Sequence, residues 1–87
     1  MNDIVWVEAV GGELINLNTL AVIKPVIKSD RVELIAYWNS EAWPITLATV
    51  STKEAAQRFL KEVKKLINSN TKCIDAKLVK DQVENSV

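Results

Sequence analysis

The sequence predicts an α+β domain: an antiparallel sheet of four or five strands, then one amphipathic helix packed on one face, then a short C-terminal tail or second helix. Three observations carry this. The first half of the chain is a series of short runs rich in β-branched and aromatic residues, separated by turn-forming residues. At Ser51 the hydrophobic period changes from two to that of a helix. Finally, 87 residues at 9.7 kDa make one small domain with a modest core.

Ile4 to Val10 and Glu13 to Leu17 read as a hairpin, with Gly11 and Gly12 as a tight two-residue turn. Asn16, Asn18 and Thr19 mark the next break. Ala21 to Lys28 reads as a third strand; Pro25 inside it donates no ladder hydrogen bond and so predicts an edge or a bulge. Ser29-Asp30 turns into Val32 to Trp38, and Asn39 to Glu41 turns into Ala42 to Leu47, whose Pro44 again predicts a peripheral strand. A helix is expected from about Thr52 to Asn68, opened by a Ser51-x-x-Glu54 capping box with Val50 and Ala55 as a hydrophobic staple, and left through Asn68-Ser69-Asn70. Residues 1–70 form the expected domain and 71–87 the tail, in which Ile74, Leu78 and Val83 suit a short helix and Ile74, Ala76 and Leu78 a strand.

The period of two assigns faces once the turns are placed. In the third to fifth strands one face collects Ala21, Ile23, Pro25, Ile27, Val32, Leu34, Ala36, Trp38, Trp43, Ile45 and Leu47, all apolar, with Trp38 and Trp43 expected as a cross-strand core pair. This is the face on which the helix is expected to pack. The other collects Val22, Lys24, Val26, Lys28, Arg31, Glu33, Ile35, Tyr37, Pro44 and Thr46, a mixed surface of aliphatics, an aromatic and cations. In the first hairpin a two-residue turn sends Val5, Val7, Ala9 and Leu14 one way and Trp6, Val10, Ile15 and Leu17 the other, so both sides are apolar. One helix does not cover two sheet faces. A homodimer or higher homo-oligomer built through the sheet is therefore expected.

Composition narrows the chemistry. Without histidine there is no neutral-pH imidazole base, no Ser/His triad and no histidine metal ligand, and no metal, cofactor or catalytic set is expected. Ser51 has no base to activate it and reads as a cap, and Gly11-Gly12 lies in no phosphate-loop pattern. A lone Cys73, no signal peptide and no long apolar run point to a cytoplasmic setting without membrane contact. The formal net charge of zero is a sum of unlike parts: residues 1–50 carry three cations against six acids, and residues 51–70 five cations against two acids. The cations of the helix segment, Lys53, Arg58, Lys61, Lys64 and Lys65, read most simply as its solvated side. The expected function is a non-enzymatic interaction module whose sheet face serves self-association or a protein partner.

Residues Arg31 to Leu66 also resemble the back half of the transcriptional-coactivator and Whirly type of single-stranded-DNA-binding proteins. Tyr37-Trp38, then Ile45-Thr46-Leu47, then the helix opened by Ser51 stand where that family has its aromatic strand end, its Ile-[Ser/Thr]-Leu strand and its helix. The organisation is similar, too, to small uncharacterised bacterial ββββα proteins. The first resemblance implies a dimeric curved sheet that receives extended single strands, with aromatics stacking on bases and cations meeting phosphates. Lys24, Lys28, Arg31 and Tyr37 are the residues it nominates as a nucleic-acid site, all on one expected face. The alternative function is thus a single-stranded nucleic-acid-binding regulator.

Overall fold

The computed structural model describes residues 5–19, 22–37 and 43–85. The α+β class holds, but among the described residues the strands form two sheets of three rather than one of four or five, and there are two helices. The chain runs β1 (Trp6–Glu8), β2 (Leu14–Asn16), a 3-10 turn (Leu17–Thr19), β3 (Val22–Ile27), β4 (Val32–Tyr37), β5 (Ile45–Val50), α1 (Lys53–Asn68), β6 (Cys73–Asp75) and α2 (Ala76–Asn85). One sheet has the order β2-β1-β6, the other β3-β4-β5.

The first hairpin differs from expectation by one residue, and that turns β2 over relative to β1. Its loop holds three residues, not two: Ala9 N–H donates to the Glu13 carbonyl at 2.8 Å and Gly12 N–H to the Ala9 carbonyl at 2.9 Å. Gly12 sits at φ +97°, the left-handed glycine that closes a three-residue hairpin with a bulge. Val7 therefore faces Ile15, and Glu8 faces Leu14. Val7, Ala9 and Ile15 are buried together, whereas Leu14 is 60% exposed beside Glu8. The one-residue slip moves Ile15 to the buried side and Leu14 to the other, where Trp6 and Val10 also stand exposed.

The buried side is covered by the tail. β6 pairs parallel to β1, with Ile74 beside Val7, and α2 packs on β1, β5 and α1 through Val79 and Val83. Asp75 caps α2, its Oδ1 accepting from Lys77 N–H at 3.0 Å. The core joining both sheets to both helices includes Phe59, Leu34, Leu47, Ile74, Val7 and Val79, each fully buried and worth about 1.5–3 kcal/mol. The tail thus covers the inner side of the hairpin, while Trp6, Val10 and Leu14 on its outer side stay exposed.

In the second sheet the expected faces are largely present. Lys28 N–H donates to the Arg31 carbonyl at 2.8 Å around Ser29-Asp30, which sets Ile23 opposite Ala36, Pro25 opposite Leu34 and Ile27 opposite Val32. Ile45 lies opposite Ala36, but a bulge between Leu34 and Ile35 then sets Ala48, not Leu47, opposite Leu34. The carbonyl of the inserted Leu47 accepts from Val10 N–H at 2.9 Å and so ties the first hairpin to β5. β5 begins only after Pro44, which has no N–H to offer, and runs on to Val50. Trp43 consequently lies before the ladder and is 88% exposed, not a core residue; Trp38, its expected partner, lies outside the described residues.

The cap of α1 also moves by one. Thr52, not Ser51, is the N-cap, its hydroxyl accepting from Ala55 N–H at 3.1 Å. Ser51 instead donates its N–H and hydroxyl to the Glu84 carboxylate of α2. At the other end Asn70 takes φ 64°, Thr71 N–H reaches the Leu66 carbonyl and Asn70 N–H the Ile67 carbonyl, a Schellman closure. Among the described residues no helix is long and apolar enough to cross a membrane.

Candidate functional site

β4 alternates strictly: Val32, Leu34 and Ala36 are buried, while Glu33, Ile35 and Tyr37 stand half-buried on the opposite face. Pairing extends that second face across the sheet, with Val22 beside Tyr37, Lys24 beside Ile35, Val26 beside Glu33, and Thr46 and Thr49 beside Ile35 and Glu33. Both helices pack against the core side, so no described element covers this face. Their cover is also partial at β3: Ile23 touches the core, but Ile27 is 63% exposed.

The nominated residues divide into two groups. Lys24 and Tyr37 are brought together, the Lys24 Nζ standing 5.6 Å from the centroid of the Tyr37 ring. That is within cation–π range and worth about 0.5–1 kcal/mol at an exposed site. Arg31 is held at the far end by carboxylates, Nη1 at 3.0 Å from Asp30 and Nε at 3.4 Å from Glu33. Lys28 flanks the same turn and is exposed. Arg31 is therefore not a free cation, and Asp30 and Glu33 nearly cancel the charge that Lys28 and Arg31 bring.

No family model, curated protein or solved structure matches the chain. The residues alone must therefore say what the face can do. Among the described residues no group of three potential metal-ligating side chains comes together. Aliphatic side chains of Val22, Val26 and Ile35, one aromatic ring, and charges of both signs suit adhesion to another surface.

A second feature lies along the outer edge of β5. A shallow groove of about 420 Å³ runs between the first hairpin, at Val10 and Glu13, and Pro44 to Thr49, with Lys80 of α2 in its wall. Residue spacing carries no signal for it, because it depends on the bulge that turns the Leu47 carbonyl toward Val10.

Proposed function

We propose that the chain is a non-enzymatic binding module that associates with a second copy of itself through the open face of β3-β4-β5. The observation that carries this reading is the uncovered strip of Val22, Val26, Ile35 and Tyr37 on a sheet whose other face the helices cover over its centre and only partly at β3. A soluble domain gains by burying such a strip. Lys24 and Glu33 give the strip both signs of charge, so a second copy complements it without leaving net charge behind. Association by the β3 edge is disfavoured: Lys28 and Arg31 form a hydrogen-bonded pair, so by alternation Pro25 points its missing N–H outward and interrupts the edge.

The face measures about 14 by 20 Å from strand spacing and rise. Two such faces span roughly 560 Å² in projection, well below the roughly 1,200 Å² of a stable specific interface, so the dimer is transient and weak. An exposed, unpaired Cys73 suits a reducing, cytoplasmic setting. A dilution series followed by NMR tests the reading: concentration-dependent shifts gathered on Val22, Val26, Ile35 and Tyr37 support it, and shifts gathered on the helices contradict it.

The contact of Lys24 with Tyr37 favours a second reading, in which a single-stranded nucleic acid stacks on that ring and pairs with that cation. The resemblance of residues 31–66 to the coactivator and Whirly type supports it. Titration of a labelled oligothymidine separates the two: salt-sensitive binding lost in Tyr37→Ala and Lys28→Glu favours the second reading, and no binding at low salt discards it.

A further inference from the structure

We propose that the outward side of α1 is a docking ridge for the phosphodiester backbone of double-stranded nucleic acid. Lys53, Lys61, Lys64 and Lys65 are all exposed. At 100° per residue they fall within an arc of about 120°, strung over about 18 Å of helix axis. The apolar stripe of Ala55, Ala56, Phe59 and Val63 faces the core, so this arc is fixed outward. Glu54 stands within it, and Glu62 is half-buried at its margin next to Arg58. Among the described residues no ion pair engages the four lysines, whereas the carboxylates beside Arg31 do engage that cation. Lys61 repels Lys64 and Lys65 at helical spacings of three and four, a strain that an external polyanion relieves.

The character of the ridge selects the polyanion. Single strands are gripped largely by stacking on aromatic rings, and the arc carries none. Helices that lie on membranes insert an apolar side among the lipids, but here that side is already spent on the core. A duplex needs only charge, and it presents a phosphate about every 3.4 Å along each strand. Two open clefts of about 330 and 480 Å³ have Lys61 in their walls, beside Glu62 in one and Glu54 in the other. Binding of this kind reads no sequence. It is also independent of the sheet face, which lies on the other side of the second sheet from the helices.

Fluorescence anisotropy with a labelled mixed-sequence duplex of about 20 base pairs, on the whole chain, tests the proposal. Four phosphate contacts predict a log–log salt slope near −3.6, so affinity falls roughly a hundredfold between about 50 and 200 mM salt. Lys61→Glu with Lys65→Glu should weaken binding at least about tenfold at the lower salt and reduce the slope by about 1.8. Lys24→Glu with Lys28→Glu should leave it unchanged, as should Ile35→Lys, which breaks the proposed dimer. Circular dichroism checks the variants, and the Gln versions replace any Glu version that fails to fold. No duplex binding by the native chain at about 50 mM salt overturns the proposal. So does binding that survives the α1 variants, or capture by phosphatidylserine vesicles without capture by duplex.

Discussion

The Glu84 carboxylate on α2 accepts both the backbone N–H and the hydroxyl of Ser51, each at 2.9 Å. This pair locks the C-terminal helix to the junction of β5 and α1, across 33 residues of sequence. Hydrogen bonds to a charged acceptor are worth more than neutral ones, though the partial exposure here trims the gain. Glu84→Ala is expected to cost about 1–2 kcal/mol in urea unfolding and Ser51→Ala about 1 kcal/mol. Because the two share one interaction, the double variant should lose less than the sum, a coupling that a double-mutant cycle reads directly.

The neighbouring Thr52 has a separate role, as the N-cap of α1. Thr52→Ala should cost about 1 kcal/mol by loss of the bond to Ala55 N–H, and Thr52→Asp should be nearly neutral, since an acid at that position serves the cap and the helix dipole equally. Thermal unfolding of the two variants checks this. If Thr52→Ala is silent while Ser51→Ala removes helix content, the cap is assigned to the wrong residue.

The two adjacent glycines should respond differently to alanine. Gly12 holds φ +97°, a conformation an L side chain resists, so Gly12→Ala should destabilise by about 1–2 kcal/mol. At Gly11 the added Cβ would meet only the Glu13 side chain, at 2.7 Å from Oε1, and that flexible carboxylate can swing away. Gly11→Ala should therefore stay within about 0.5 kcal/mol of the native chain. Equal losses at the two sites in chemical denaturation would contradict the three-residue loop.

These local features show how much of the molecule was legible in its sequence. The alternation of β3 and β4 and the turn at Ser29-Asp30 followed from the period of two, and with them the shared face of Lys24 and Tyr37. The length of the first loop did not, because Gly11-Gly12 fits a two-residue turn as readily as a three-residue loop closed by Gly12, and the choice sets which side chains of β2 share a side with Val7 and Ala9. Nor did the sheet β2-β1-β6 follow. β6 is only three residues long, its pairing with β1 is parallel and distant, and short apolar runs around Ile74 serve strand or helix equally. Trp43 was misplaced in the core because Pro44 delays the strand to Ile45. For the site, the cluster of cations was visible, but the capture of Arg31 by Asp30 and Glu33 depends on side-chain geometry that spacing leaves open.

Pro25 gives a prediction about the edge of β3. It stands opposite Leu34 in a rung whose backbone groups point away from β4, so its ring leaves the internal ladder intact and removes one donor from the open edge. Pro25→Val should keep the fold while restoring that donor. Size-exclusion chromatography should then show larger, concentration-dependent species than the native chain. An unchanged elution profile would mean that Pro25 does not guard this edge.

The self-association of the open face is tested most directly by sedimentation velocity of the native chain and of Ile35→Lys, which sets a charge at the centre of the strip beside Lys24. Across about 10 µM to 1 mM the native mass should climb from 9.7 kDa toward twice that value, as a small interface implies, while the folded variant stays at the monomer mass. A native chain that remains at 9.7 kDa throughout, or a variant that dimerises as well as the native chain, would contradict the account.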